Sequence, residues 1–561
     1  MGVATHRIDE RISTSLGDQK QCEIEFERSH NVCNGGVLFL LPALLSQGLL
    51  KSKSIYGKLR KGYYGFMQII ILLSFMALSR IKNPEQLKNC SPGEWGKILG
   101  MDRIPEKKCL RNKISEIIEK GKASDFNIEL GKEWVKQEGT TYFYVDGHIQ
   151  VYHGKKANLG KKHIARQKLC MPGITEFWVN NHLGMPYLVV TGEVNEKLQE
   201  IILTEILPQL KESISIPVSK EALEKDPLLP RFILVFDREA YSPSFFKKLW
   251  QEHRVAVITY NKNVKDNWSI EEFKEVTTEV IGKEVKMDIS EREINLEDMK
   301  MREIRKLNPG GHQTSIISTD FKISKSLVAG KMFSRWGQEN FFRYLRQDYD
   351  LDRIVEYDIL QIDKGFKVVN PTYSKLTYKI KKIREKISRR QAKLYQLIDK
   401  NIEEKLDLIE KYLKEQFEIK EELDKLEKEL DKNIAERKKH NYHIKIGEMP
   451  EEKRYNKLKT EGKLFMNTMK MICYRAETAF TNLINQYYKK GHNEGRMLVK
   501  EIIKSDADIL PDYEKQELTV RLHSLSTPRA NRAVVKMCEL LNNTETKYPG
   551  TNLRLIYKSV T

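Results

Sequence analysis

The spacing of hydrophobic positions changes several times along the chain. In the first region, "GGVLFLLPALLSQGLL" (35–50) and "FMQIIILLSFMALSRI" (66–81) predict two apolar helices joined by a basic, tyrosine-containing loop. The stretch "SPGEWGKILGMDRIPEKKCLRNKISEI" then predicts a helix over 94–99, a turn over 100–103 and a second helix opening after Pro105. A proline in a first turn removes no helix hydrogen bond. The second helix carries Lys107, Lys108, Arg111 and Lys113. The pair has the pattern of a helix-turn-helix, whose second helix would lie in a DNA groove. Two short helices packed on a core would read the same way.

From residue 140 the period falls to two. "TYFYVDGHIQVYHG", "GITEFWVNN" and "MPYLVVTGEV" predict three strands, with "NHLGMP" (181–186) as a turn. A helical run over 195–214 follows, then the buried strand "RFILVFD", the helix "SPSFFKKLWQEH" and the strand "RVAVITYNK". The order β-β-β-α-β-α-β predicts an α/β domain over 138–350, built on a mixed five-stranded sheet with helices packed on it. Residues 260–320 contain shorter strand-like pieces around "NPGGHQ". They read as a β-rich insertion that could place a small subdomain over the sheet edge. A helix is predicted from Ser324 to Arg346.

Over 375–440, apolar residues recur every three or four positions, from Ile380 to Ile434, between many Lys and Glu. This predicts a long helix or helical hairpin with a coiled-coil seam. The charges read first as a solvated face, and more sharply as an oligomerisation or DNA-holding arm. Residues 441–561 predict a helix over Leu464–Tyr488 and a small α+β region, "LTVRLHSL", "RANRAVVKMCELLNN" and "LRLIYK". The chain thus divides into a helical region over 1–125, the α/β domain, the helical arm and the C-terminal region.

Composition narrows the partners. The chain has 561 residues, with 97 Lys+Arg against 78 Asp+Glu and a formal charge of +19. Such a surface favours a polyanion, nucleic acid before anionic membrane. The seven cysteines are scattered without a C-x-x-C pair, which argues against a disulfide framework or zinc knuckle and fits a reducing cytoplasm. The polar N-terminus shows no signal peptide, and His6 breaks the myristoylation pattern that Met1-Gly2 begins. The longest apolar run, Phe66–Leu78, is too short for a membrane span.

Three acids stand out by placement. Asp146 interrupts the first strand of the sheet, Asp237 ends "RFILVFD", and Glu339 lies on the helix after the last strand. Each has a plain structural reading. Asp146-Gly147 is a hairpin-turn dipeptide. Asp237 could pair with Arg238 or cap the next loop, and Glu339 could pair with Arg335 and Arg343 at i±4. Jointly, strand ends and an adjacent helix can gather the three carboxylates into a site for two-metal phosphoryl transfer. Mg²⁺ prefers such oxygen donors, two ions are expected, and Mn²⁺ can substitute. His148, His153 and His163 are not assigned as ligands, because a hard ion selects oxygen. Trp268 reads as a core residue before a base-stacking one.

The strand order and these acids resemble the RNase H-like catalytic core of DDE transposases of bacterial insertion sequences. In their signature, Tyr, two residues, Arg, three residues, Glu, six residues and Lys follow one another. Arg335, Glu339 and Arg346 match its last three positions, with Arg for Lys, and Met332 stands at the tyrosine position. The stretches "VDGH…VYHGKK" and "VFDREAYSP" are also similar to one subgroup of bacterial transposases, as are "RAETAF", "LHSLSTPRAN" and "YPGTNLRL". The resemblance covers most of the chain from about residue 30.

It implies catalytic and metal-binding roles for Asp146, Asp237 and Glu339. The implied reaction is Mg²⁺-dependent cleavage at transposon ends, then in-line attack of the freed 3′-OH on target DNA. The implied partner is double-stranded DNA, held by a homodimer or larger oligomer without a membrane, in the cytoplasm of a bacterial-type cell. Arg335, Arg343 and Arg346 would meet phosphates near the site, or else serve helix-surface ion pairs, and Lys155, Lys156, Lys161, Lys162 and Arg166 after the first strand read equally as phosphate contacts or as a solvated loop. Lys107, Lys108 and Arg111 would serve the helix-turn-helix. A nuclease of the same fold that does not join ends, and an inactive DNA-binding derivative, are the competing readings.

Overall fold

The computed structural model describes the chain except for residues 1–5, 61, 165–166, 214–219, 263, 265, 355–358, 361–364, 366, 399–405, 452–453, 489–491 and 561. It divides into two units. One comprises 1–153, 160–356 and 459–561, and the other comprises 154–159 and 357–458.

The first unit is a mixed α/β structure around a ten-stranded sheet. Strand β1 (Tyr142–Val151) lies inside it, antiparallel to β2 (Leu169–Asn180), which is antiparallel to β3 (Pro186–Glu193). On the other side of β1 run β4 (Phe232–Phe236), parallel to it, and β5 (Val255–Tyr260), parallel to β4. Helix α1 (Pro243–His253) connects these two, opened by Ser242, whose hydroxyl accepts from the Phe245 N–H. The spatial order of these five strands is therefore β3-β2-β1-β4-β5.

Alternation explains why the middle strands are apolar throughout. Phe143 and Val145 enter one hydrophobic core with Phe232, Leu234 and Phe236. Tyr144 enters the core on the opposite face with Ile233 and Val235. A strand covered on both faces has no solvent side to mark with polar residues.

The 260–320 insertion does not form a separate subdomain over the sheet edge. It contributes β6 (Lys274–Val280), β7 (Lys283–Leu296), β8 (Met299–Leu307) and β9 (Gln313–Ser318) to the same sheet. Strand β9 pairs antiparallel with β5, and β8, β7 and β6 follow outward. The expected five-stranded sheet is thus only half of the real one. The physical reason is the edge of β5, whose backbone groups the insertion pairs. Trp268 is buried in this region with Arg292 and Arg305 over its ring at 4.5 and 4.2 Å, so it is a packing residue and not a base-stacking one.

The helix expected over 324–346 is two helices, α2 (Lys325–Phe333) and α3 (Trp336–Tyr349). At the break, the Ser334 hydroxyl donates to the Gly330 carbonyl at 2.8 Å and accepts from the Ile281 N–H at 3.1 Å. A serine bonding back to its own helix competes with continuing it.

In the second unit, α4 (Pro371–Ile398) and α5 (Leu406–Lys438) pack together through Ile383, Ile387, Leu397, Ile419 and Leu423. The strands Lys367–Val369 and His443–Lys445 pair below them.

The N-terminal region is not helical throughout. Ser29–Val32 is the edge strand of a four-stranded sheet completed by Ala507–Asp512, Glu517–Leu522 and Arg554–Ser559. Helix α6 (Glu461–Asn485) belongs to the first unit and is buried along most of its length. Among the described residues, no helix is long and apolar enough to cross a membrane.

Candidate active site

The last parallel partners of β1 and β4 are Val145 and Phe236. One residue further along each strand stand Asp146 and Asp237. They follow Tyr144 and Val235 by two positions, so both carboxylates leave the sheet on that same face. Strand β1 does not turn at Asp146-Gly147 but continues antiparallel to β2 as far as Val151. The hairpin-turn reading of this dipeptide is therefore incorrect. Gly147 instead donates its N–H to Asp146 Oδ1 at 2.9 Å. Asp237 caps the short helical turn 238–240, accepting from the Arg238 N–H at 2.6 Å.

The third acid, Glu339, lies in the first turn of α3. Its neighbour Gln338 is buried and fastens that turn to the sheet. Gln338 Nε2 lies 3.2 Å from the Tyr144 carbonyl, 3.1 Å from the Trp178 carbonyl and 2.8 Å from Asn180 Oδ1. The turn between β2 and β3 presses on the same point. A side chain at Gly184, whose φ is +82°, would meet the Gly337 carbonyl at 2.3 Å. Only glycine relieves both demands there.

Arg335, in the break between α2 and α3, connects the three acids. Its guanidinium lies 3.5 Å from Asp146, 3.6 Å from Asp237 and 2.6 Å from Glu339. Its side chain is 12% exposed, whereas those of Asp146, Asp237 and Glu339 are 24%, 43% and 38% exposed. The acids are open enough to meet a substrate, and the arginine lies beneath them. Burial disfavours the arginine's charge, but the three carboxylates outweigh it and hold its pKa above the ordinary value. Burial pushes the Asp146 carboxyl up to about 7, with Arg335 opposing and Glu239 and Asp237 adding to the rise. Below neutrality Asp146 therefore carries a proton in the free protein.

The i+4 contact between Arg335 and Glu339 was legible from spacing. The contacts to Asp146 and Asp237 were not, because they arise where two strands and a helix break meet. Tyr260, at the end of β5, is a further neighbour absent from the sequence reading. Burial raises its pKa, and it feels the charges of Arg335, Asp237 and Glu339. His148 is buried, stacks on Phe342 of α3 with centroids 5.1 Å apart, and meets Asp352 at 2.5 Å. It is a packing link between β1 and α3.

The predicted cationic residues are dispersed. Arg343 is exposed and donates to Asn340, while Arg346 reaches the Phe342 carbonyl at 3.4 Å. Arg335 precedes the helix that carries them, so the three do not form one stripe of a continuous helix. Lys161 is exposed on a short strand paired with β2, and Lys162 meets Glu239 at 3.2 Å. Lys155 and Lys156 are exposed in the second unit. Arg166 lies outside the described residues. Lys107 and Lys108 are exposed at the start of the helix Lys107–Ile118, and Arg111 pairs with Glu85.

As they stand, no three His, Cys, Asp or Glu side chains among the described residues form a cage for a metal ion. The donor set nonetheless fits a hard divalent cation. Three carboxylates and no softer ligand converge on one point, and that point already holds a positive charge, the Arg335 guanidinium.

No curated protein matches the chain. A cryo-EM structure of the piggyBac transposase synaptic complex with hairpin DNA is similar at a TM-score of 0.28 and 10% identity, over 56% of this chain and 68% of that one. A likeness of that size is too weak to bear on function. A family model described as "Transposase protein" matches residues 2–561, and the chain belongs to that family.

Proposed function

We propose that this chain is a DNA transposase of the DDE type, with an RNase H-like core and Asp146, Asp237 and Glu339 as its catalytic carboxylates. The observation that carries this reading is the convergence of the three on one guanidinium, where β1 passes the end of β4. The strand order β3-β2-β1-β4-β5, antiparallel on one side of β1 and parallel on the other, supports the RNase H-like assignment.

Asp146, Asp237 and Glu339 would hold two Mg²⁺ ions, or Mn²⁺ in their place. When bound, the ions stabilise charge on the attacking and leaving oxygens of an in-line phosphoryl transfer. The chain's own part is positioning. Two strands fix the aspartates, and Gln338 fixes the turn that carries Glu339. Asp146 would hold a cation as the carboxylate, its proton passing to solvent. With the carboxylates holding cations, Arg335 would be free to pair with a phosphate of the DNA, and Arg343, Arg346, Lys161 and Lys162 are proposed as additional phosphate contacts. Lys155, Lys156 and Arg166, and the pair Lys107 and Lys108 with Arg111, are proposed as further DNA contacts. Joining two ends to one target requires both ends to be held together, which is the reason for proposing two or more copies on DNA.

Manganese binding followed by electron paramagnetic resonance tests the site without relying on turnover. The full chain is expected to bind Mn²⁺, and Asp237→Asn to weaken that binding by at least about tenfold, the scale typical of a disturbed metal shell. Because the raised Asp146 pKa favours the protonated form, wild-type affinity should fall as pH drops through about 7. Equal binding by wild type and Asp237→Asn would refute the assignment.

A further inference from the structure

The two long helices of the second unit differ sharply in charge. Helix α4 carries nine Lys and Arg against a single acid, Glu385. Helix α5 carries eleven acids against eight bases. A symmetric hairpin whose charges served only solubility would need no such division.

The positions of the α4 bases are ordered. Lys375, Lys379, Lys382, Lys386, Arg389 and Lys393 follow one another at alternating steps of four and three residues, and all are exposed. At 3.6 residues per turn they form one stripe about 27 Å long. The stripe lies about 100° around the helix from the seam of Ile383, Ile387 and Leu394 that packs with α5. Within it, Lys382 pairs with Glu385 at 3.0 Å and Lys393 with Glu415 of α5 at 2.7 Å. Among the described residues, Lys375, Lys379, Lys386 and Arg389 make no ion pair. Four like charges spaced along one exposed face attract a polyanion that carries its own linear repeat of charge.

We propose that this stripe of α4 is a binding surface for duplex DNA, read through its phosphates and without base specificity. Charge complementarity selects this occupant over a second copy of the chain. The acids of α5 are nearly balanced by bases on the same helix, so α5 of another copy offers too little net negative charge. The stripe spans less than one turn of B-DNA, so its cations can follow one backbone across a groove, with exposed Tyr378 alongside as a phosphate hydrogen-bond donor. The inference rests on DNA being the substrate, but not on the three carboxylates.

The test is fluorescence anisotropy of the full chain on a labelled duplex of arbitrary sequence, over a range of KCl concentrations. Combined Lys375→Gln, Lys379→Gln, Lys386→Gln and Arg389→Gln should make the negative slope of log affinity against log salt shallower by about 3.6, at ~0.9 per phosphate contact. Each single exchange should make it shallower by about 0.9, which keeps the test available if the combined variant fails to fold. Exchanging the same lysines for arginine should leave the slope unchanged. An unaltered slope in the glutamine variants, with wild-type binding intact, overturns the inference alone. So does a change of sedimentation mass with the slope unchanged, which would make the stripe a self-association face. If the wild type binds no duplex at all, the proposed function fails with it.

Discussion

Alanine in place of Asp146, Asp237 or Glu339 is expected to lower Mg²⁺-dependent DNA cleavage about a thousandfold or more in each case, while DNA binding persists. The size follows from the chemistry. Phosphoryl transfer is catalysed by positioned charge, and loss of one group placed against developing charge costs about 10²–10³ in rate even where no metal is displaced. The three substitutions should be nearly equivalent and should not add, since each breaks the same unit. Persistent binding is expected because the removed groups are negative and the DNA is held by cations elsewhere. Single-turnover cleavage of a labelled duplex and anisotropy on the same DNA measure the two quantities separately. Full cleavage by any one variant would remove that residue from the site.

The second large effect lies away from the carboxylates, at Glu477 of α6. This side chain is fully buried. It accepts from Arg80 at 2.8 Å and from the hydroxyls of Tyr344 and Tyr349 at 2.5 Å, with Arg496 3.9 Å away. Tyr344 and Tyr349 belong to α3, and Asp348 of the same helix also meets Arg80, at 3.0 Å. This acid thus moors the C-terminal half of the helix carrying Glu339 to α6, beside the ring contacts of Phe341 and Tyr344 with Tyr474. Glu477→Ala would leave Arg80 and Arg496 largely buried without it, a change that costs about 3–5 kcal/mol for a broken buried pair. Thermal unfolding should show a clear drop in midpoint, and hydrogen exchange should show faster opening of α3. At Glu545, 76% exposed, alanine should change stability by less than about 0.5 kcal/mol. A wild-type midpoint for Glu477→Ala would show that the Glu477 contacts do not hold α3.

The sheet was legible where periodicity and turn residues agreed. β4 and β5 are short apolar runs that end at Asp237 and Asn261, and the α1 connection has its capping serine in the sequence. The insertion strands were visible as strand-like pieces, but not their destination, because nothing in β6–β9 says which edge they pair. Ser29–Val32 was invisible. Four residues without alternation become a strand only through Ala507–Asp512, nearly five hundred positions away. The break between α2 and α3 carries no proline, so the apolar pattern read as one helix.

Within the site, the acids could be singled out because each sits where a carboxylate is costly or conspicuous. The residues that hold them could not. Gln338 looks like any polar helix residue until its amide is found among Tyr144, Trp178 and Asn180. Glu477 lies in a helix whose sequence alternates polar and apolar groups without a solvent face. Buried polar partners are chosen by three-dimensional proximity, which no local period records.

Transposition differs from mere cleavage in one bond, so the most direct measurement tracks that bond. Labelled duplexes carrying the sequences that flank the gene are incubated with the full chain, Mg²⁺ and a circular target. The account predicts labelled 3′ ends covalently joined to the target, with no joined product from Asp237→Ala. Ends that are cut but never joined would contradict the transposase assignment and leave a nuclease built on the same three carboxylates. Joined product that survives in Asp237→Ala would contradict the site itself.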